Sequence, residues 1–330
     1  MTERYYSLVV MTYQRPDGLK RCLTSLAEQD IEKNHFEVLV IDDGSQNDHQ
    51  SIIESFNKTL RIRYLKQKHQ GIVVARNTGL KNANGHYVGF IADDYYLPPD
   101  YLSTADAFFR DNPRADVLTF NIRSCGQGLS KHIQQLYIQL ALWRKIQAPY
   151  PPQQIIKSFQ LPASRAAIFR RRILLDVGGF NEKLNGGEDM ELTRRLSKMS
   201  IPIYFMPNFY IEHWENKNFI KFLDQRYRYG WYSFNTYAQG ESFDNNKKID
   251  RGFLLKALFY ELPYHLICNY FELMQNARRI QKLKPYIILS PFILLNLFFY
   301  FLGFFKNAQK SGASVQVCHK ILLKIFQKPN

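Results

Sequence analysis

The chain has 330 residues, 45% of them hydrophobic, with a formal net charge of +15. That length and composition supply a sizeable core and exclude a wholly disordered polypeptide. Cys22, Cys125, Cys268 and Cys318 form no CxxC pair and have no histidine at zinc-finger spacing, which argues against a disulfide framework or structural zinc and for a reducing compartment. The first residues, Met1 to Arg4, lead into only a short apolar run with no small-residue cleavage site after it, so no signal peptide is expected and the catalytic portion is expected in the cytoplasm.

In chain order, Tyr6 to Met11 reads as a buried strand, and Leu19, Cys22, Leu23 and Leu26 recur at helical spacing behind Pro16-Asp17. Phe36 to Ile41 is a second strand, stopped by Asp42-Asp43-Gly44-Ser45. A helix over Gln50 to Phe56, a strand over Ile62 to Leu65, a glycine-opened helix over Gly71 to Leu80 and a strand over Tyr87 to Ile91 follow. This alternation predicts an α/β fold: a doubly wound, mainly parallel sheet whose ligands bind beyond the carboxyl ends of its strands. Asp42-Asp43 and Asp93-Asp94 fall at such ends.

Next come a helix from Pro98-Pro99-Asp100 through Phe109, a strand over Asp116 to Asn121 and a proline-rich loop from Gln147 to Gln154. Ala166 to Phe169 is a short strand and Arg171 to Val177 a short helix. Glu188 to Met199 is an amphipathic helix, and Ile203 to Met206 and Phe209 to Ile211 are two late strands before His213-Trp214.

Beyond this point the composition changes, which divides the chain into 1–225 and a helical, apolar and basic extension, 226–330. Residues 214–330 hold seventeen Lys and Arg against seven Asp and Glu, so ten of the fifteen net charges sit there. Basic charge beside apolar stretches suits the anionic cytoplasmic face of a membrane. It would also suit nucleic acid, but no helix-turn-helix, zinc-finger or RNP pattern accompanies it, so no nucleic-acid partner is expected. Phe219 to Ala238 and the apolar stretch Phe253 to Met274 are followed by Tyr286 to Phe305, 20 residues without a charge, flanked by Lys282, Lys284 and Lys306. That length can cross a bilayer core. Pro291 and Asn296 leave three alternatives: a span, a re-entrant hairpin or a buried core helix.

Two acidic clusters carry the functional argument: Asp93-Asp94, and Glu188-Asp189 at the start of a helix. Adjacent carboxylates repel, and a cation, a hydrogen-bond donor or full solvation must offset the cost. One cluster suits a divalent metal and the other a proton transfer.

Six segments then occur in a telling order: Val9 to Pro16 (VVMTYQRP), Val40 to Ser45 (VIDDGS), Gly71 to Gly79 (GIVVARNTG), Phe90 to Asp94 (FIADD), Gly178 to Glu182 (GGFNE), and Gly187-Glu188-Asp189 with Leu192 and Arg195. The chain resembles a family 2 glycosyltransferase of GT-A fold, from about Ser7 to His213. The resemblance implies inverting transfer of a sugar from a nucleotide-sugar donor to a glycan or lipid-linked acceptor, assisted by Mn2+ or Mg2+.

Asp42 offers an acceptor for base N–H groups, while Asp43-Gly44 also suits an Asx turn. Thr12 and Tyr13 close the first strand near base and ribose, where simple β propensity also explains them. Arg76 suits a diphosphate, or a surface ion pair; Arg15 is a second phosphate candidate. By the resemblance, Asp94 is assigned to the metal and Asp93 to ribose or metal, against the alternative of a solvated turn. His213 is assigned to the metal or to the core. Asp189 corresponds to the catalytic base, with helix capping as the competing role. Glu188 orients the acceptor or caps, and Trp214 offers a stacking surface.

Ala92 stands where many relatives carry a further aspartate, and Tyr95 where others are acidic. These departures motivate the alternative of a catalytically impaired nucleotide-binding or scaffold protein. A nicotinamide dehydrogenase and a P-loop nucleotidase are disfavoured, since neither GxGxxG nor GxxxxGK[ST] occurs at the required place.

Overall fold

The computed structural model describes residues 5–125, 131–132, 135, 155–158, 166–184, 186–214, 219–237, 263, 270, 274, 283–311, 313 and 318. The predicted loop over 147–154 and most of 253–274 lie outside them. The chain forms two compact units, residues 1–126 with 150–215, and 127–149 with 216–330.

The first unit is built on one mixed sheet. Its strands are β1 (Tyr6–Thr12), β2 (Phe36–Asp42), β3 (Ile62–Lys66), β4 (Tyr87–Ala92), β5 (Tyr95–Tyr96), β6 (Val117–Cys125), β7 (Ile156–Ser158), β8 (Ile168–Arg170) and β9 (Ile203–Trp214), in the order β3-β2-β1-β4-β8-β6-β9-β5, with β7 also on β9. The block β3-β2-β1-β4 is parallel, and β8 joins it antiparallel to β4. β1 and β2 are buried at every position, as strands covered by helices on both faces must be. The helices are α1 (Pro16–Ala27), α2 (Gln50–Phe56), α3 (Ile72–Asn82), α4 (Tyr101–Asp111), α5 (Arg171–Asp176) and α6 (Glu188–Lys198).

Alternation along β1 sorts the helices. Leu8 and Val10 pack with Leu19, Cys22, Leu23, Ile53 and Phe108, which puts α1, α2 and α4 on one face. Val9 points the other way, onto α3. A Cβ on Gly79 would lie 2.2 Å from Val9 Cγ1, so only glycine lets α3 settle on the strand. The strand ends are flush: Thr12 pairs with Asp42 across β1–β2, and Met11 with Ala92 across β1–β4. Everything C-terminal to them opens onto one edge.

Two differences from the sequence-based expectation have local causes. The two late strands are one, β9, whose register against β6 shifts between Phe120 and Asn121. Pro207 cannot donate to the ladder there, and the Asn121 side-chain amide instead donates to the Pro207 carbonyl at 2.7 Å. The two-residue strand β5 carries no pattern of its own, and exists because Tyr95 and Tyr96 pair with His213 and Glu212 of β9.

In the second unit α7 (Phe219–Tyr237) packs on α8 (Leu283–Lys310). Position 225, where the composition changes, falls inside α7. The helices touch backbone to backbone: a Cβ on Gly230 would lie 1.7 Å from the Tyr300 carbonyl oxygen, and one on Gly303 would lie 1.9 Å from that of Tyr227. Buried Arg226 donates from Nε to Asn296 Oδ1 at 2.9 Å, so Asn296, unexpected in a lipid-facing helix, has a protein partner. Among the described residues one helix, Ser290–Lys310, is long and apolar enough to cross a membrane, and 56% of its apolar window is buried inside the protein.

Candidate active site

The edge beyond β1 and β4 gathers five of the predicted residues. Thr12 Oγ1 donates to Asp93 Oδ2 at 2.9 Å. The Arg15 guanidinium, just before the Pro16 that opens α1, bridges the acidic pair at 3.1 Å from Asp93 Oδ1 and 2.8 Å from Asp94 Oδ2. His213 Nε2 lies 3.4 Å from that same Asp94 oxygen. The β5–β9 pairing makes this contact possible, and the Trp214 N–H donates to the Asp94 carbonyl at 2.7 Å. A Cβ on Gly18 would come within 2.9 Å of the Asp93 carbonyl oxygen, so α1 starts against this turn.

The two carboxylates differ electrically. Burial pushes Asp93 up to about 6; Arg15 opposes the shift and the Asp94 charge adds to it. Burial also penalises Asp94, but its contacts with His213 and Arg15 outweigh that and hold it well below the usual carboxylate range. Asp93 is therefore the first of the pair to take up a proton as pH falls, and Asp94 keeps its charge.

Beside this cluster lies a loop system that motif reading did not resolve. Asp43 accepts from the Gln67 side chain at 2.7 Å and from the backbone N–H groups of Gln70 and Gly71 at 3.0 and 2.8 Å. Its other contact, His69 Nδ1 at 2.8 Å, sets the His69 ring against Tyr13, with centroids 4.2 Å apart and planes within 18°. Tyr13 is 42% exposed, so the stacked pair presents an aromatic surface at the strand edge. Asp42 differs from expectation. It is 0% exposed, with Oδ1 accepting from Ser45 N–H at 2.8 Å and Oδ2 from Tyr64 O–H at 2.6 Å, and His49 lies 3.3 Å away. Its acceptors are thus used inside the protein, and it shapes the loop from behind.

The second acidic cluster is joined to the first by packing. Phe90 of β4 meets the Phe180 ring edge-on, with centroids 5.1 Å apart. The Arg76 guanidinium lies 5.1 Å over Phe180 and pairs with Glu188 at the start of α6. Asn77, next to Arg76 on α3, locks the Gly178–Glu182 turn: its amide donates to the Phe180 carbonyl and to Glu182, both at 2.8 Å, and its oxygen accepts the Phe180 N–H at 2.9 Å. Arg195 of α6 holds the same turn, donating to the Val177 and Gly179 carbonyls while pairing with Glu191. Gly187, in the left-handed region at φ 76°, lets the chain enter α6 with Glu188 and Asp189 in its first turn. Half-buried Asp189 accepts the Met190 N–H at 2.8 Å, a capping contact that occupies one of its oxygens.

The structure thus brings together Thr12, Arg15, Asp93, Asp94 and His213, and separately Arg76 with Glu188 beside Asp189. Trp214 follows His213 at the end of β9 and is exposed. Its ring lies under the Arg21 guanidinium at 5.2 Å, with Nε1 donating to Glu212 at 3.1 Å. Asp43, His69, Asn77 and Arg195 were not singled out from sequence as site-building side chains. The signal for Asn77 and Arg195 was present, since both lie in the quoted motifs, but their partners are distant in sequence.

Among the described residues no group of three or more His, Cys, Asp or Glu side chains is arranged to hold a metal. Asp94 and His213 nevertheless offer a carboxylate oxygen and an imidazole nitrogen, donors that Mn2+ accepts. The set fits an ion that takes its remaining ligands from a diphosphate, as such ions commonly do.

Comparisons agree with this architecture. The chain is 30% identical over 212 residues to poly(ribitol-phosphate) beta-N-acetylglucosaminyltransferase TarS of Staphylococcus aureus, covering 61% of this chain and 35% of that protein. It is 26% identical over 214 residues to glycosyltransferase GlyA of Streptococcus pneumoniae, covering 61% and 29%. The chain thus spans about a third of the length of these curated relatives. Among solved structures, S. aureus TarS 1–349 in complex with UDP superposes with a TM-score of 0.53 at 20% identity, covering 92% of each chain. The mannosyltransferase PcManGT of Pyrobaculum calidifontis, in complex with GDP-Man and Mn2+, superposes with a TM-score of 0.61 at 18% identity, covering 94% of this chain and 88% of that one. The model of glycosyl transferase family 2 matches residues 7–178, just over half of the sequence, a stretch that includes the Asp93-Asp94 turn and the helix that carries Arg76: the chain belongs to glycosyl transferase family 2.

Proposed function

We propose that the chain is an inverting glycosyltransferase that moves a sugar from a nucleoside-diphosphate sugar to a hydroxyl of a glycan or lipid-linked acceptor, in cell-surface polysaccharide or glycolipid synthesis. The observation that carries this is the packing from β4, the strand that leads into the acidic turn, to the start of α6, through Phe90, Phe180, Arg76 and Glu188. It ties a cationic, carboxylate-lined strand edge to a carboxylate able to take a proton. Relatives solved with UDP and with GDP-Man support a nucleotide-sugar donor.

In this mechanism the base rests on exposed Tyr13, and Arg15 and Arg76 hold diphosphate oxygens. Asp94 and His213 would hold Mn2+ or Mg2+, which supplies positive charge against the leaving diphosphate. Asp189 accepts the proton of the acceptor hydroxyl as its oxygen bonds to the anomeric carbon. The bond from that carbon to the diphosphate oxygen breaks, and the nucleoside diphosphate leaves with the electron pair. Attack from the face opposite the leaving group inverts the centre. The basic, apolar extension would hold this unit at the cytoplasmic face of a membrane.

The test is Asp189→Asn. Transfer should fall by roughly 100- to 10,000-fold, the usual worth of a general base, while nucleoside-diphosphate binding by calorimetry stays near wild type. Unchanged turnover removes Asp189 from the mechanism. Metal-independent binding with no transfer to any acceptor would instead favour a catalytically impaired protein.

A further inference from the structure

Building on Arg76 as a diphosphate ligand, we infer that Glu188 is a positioning residue that couples donor binding to acceptor activation by competing for the Arg76 guanidinium. In the ligand-free chain Arg76 belongs to Glu188. The two side chains are 12% and 10% exposed, so neither charge is satisfied by water. Arg76 Nε is buried and has no hydrogen-bond partner. The guanidinium therefore holds an unused donor while one NH group is committed to Glu188. A guanidinium offers its donors in a planar fork that suits two phosphate oxygens at once.

A diphosphate arriving at Arg76 competes with Glu188 for this fork. A buried guanidinium is costly to leave unpaired, so the event is an exchange of one anionic partner for another. The consequence falls on α6. Glu188 is the residue next to Asp189, entered through the left-handed Gly187. Once released, its carboxylate becomes an acceptor for a sugar hydroxyl beside the proposed base. With no donor present, that carboxylate is occupied. Donor binding thus prepares the acceptor side, and the linkage is reciprocal: whatever draws Glu188 from Arg76 favours the diphosphate. Asn77 and Arg195 keep the exchange local, because they pin the Phe180 turn beneath Arg76 whichever partner it holds.

The test is calorimetry on the full chain with UDP, GDP and dTDP in the presence of Mn2+. Glu188→Gln should tighten nucleoside-diphosphate binding about tenfold, within the usual range for coupled sites. It should also lower kcat at saturating donor and raise the acceptor KM. Glu188→Asp keeps the charge but withdraws it from Arg76, and should tighten binding too; loss of charge alone predicts no change. Asp189→Asn, which removes a neighbouring charge, should not tighten binding comparably. In an Arg76→Ala background the effect of Glu188→Gln should vanish.

Weaker or unchanged binding by both Glu188 variants overturns the competition, as does tightening that persists without Arg76. Wild-type affinity in Arg76→Ala would show instead that Arg76 is no diphosphate ligand. Binding of none of the three nucleotides by the wild type would overturn the donor assignment itself. The two failures are thus distinguishable.

Discussion

Arg15 sits where two carboxylates meet, and its charge offsets a repulsion that the Asp93-Asp94 pair cannot avoid. It is half exposed, so its removal should cost only about 1–2 kcal/mol. The sharper consequence concerns metal. Arg15→Ala should be stabilised by Mn2+ by several degrees more than wild type in thermal melts, because the ion then has no cationic competitor for Asp94. Equal shifts in both proteins would show that ion and guanidinium do not share the site. Asp42 supplies a pH-dependent counterpart. Its folded-state pKa is lowered: burial acts to raise it, but hydrogen bonds from Tyr64 and Ser45 outweigh burial. A carboxylate with a depressed folded pKa contributes stability above its unfolded value of 3.8, and that contribution is lost as pH falls through the folded pKa. Tyr64→Phe should raise the folded pKa and move acid unfolding to higher pH; a melt series from pH 7 to 2.5 with superimposable curves would exclude this. Motif reading found both residues, but Asp42 at a strand end looked like a ligand contact. Only the packed neighbours show its oxygens occupied.

At the scale of elements, the site depends on how α3 and α6 are held. Asn77 makes three hydrogen bonds to a turn about a hundred residues away. Asn77→Ala leaves the buried Phe180 N–H and carbonyl without it, at about 1–3 kcal/mol for each stranded group. Denaturant titration should show that loss, and transfer should fall with it, because the turn carries the Arg76–Glu188 pair. Retained stability would mean that the turn finds other partners. Gly79, two residues on, tests the opposite face of α3. Gly79→Ala should cost about 1–3 kcal/mol by overpacking, and Val9→Ala in the same chain should recover part of it. Additive costs would show that the helix shifts freely. The strands and helices themselves were legible with ends displaced by a few residues, because their periodicities are local. The two-residue β5 and the continuity of β9 were not, since both depend on a partner strand.

At the scale of the whole molecule, the chain divides its chemistry between two compact units. The basic excess and the apolar α8 belong to the second, where Arg226 is buried on Asn296 and Gly230 and Gly303 let the helices touch. If this unit holds the protein at an anionic bilayer, the full chain should float with vesicles containing anionic lipid and less so with neutral ones. High salt should weaken only the part due to charge. A chain that stays in the aqueous fraction with both, without detergent, is not a membrane protein.

Sequence alone determined the family, the parallel core of the sheet and the order of the chemical motifs. Strand periodicity and motif spacing are written in neighbouring residues and need no knowledge of distant ones. Tertiary structure alone decided partnership: that Arg15 bridges Asp93 and Asp94, that Arg76 belongs to Glu188, that Asp42 is sealed inside and that the Trp214 ring lies under Arg21. A side chain's charge is a property of its residue. Its partner is set by which strands pair and which face each one presents, and these are fixed only when segments far apart in the chain are packed together.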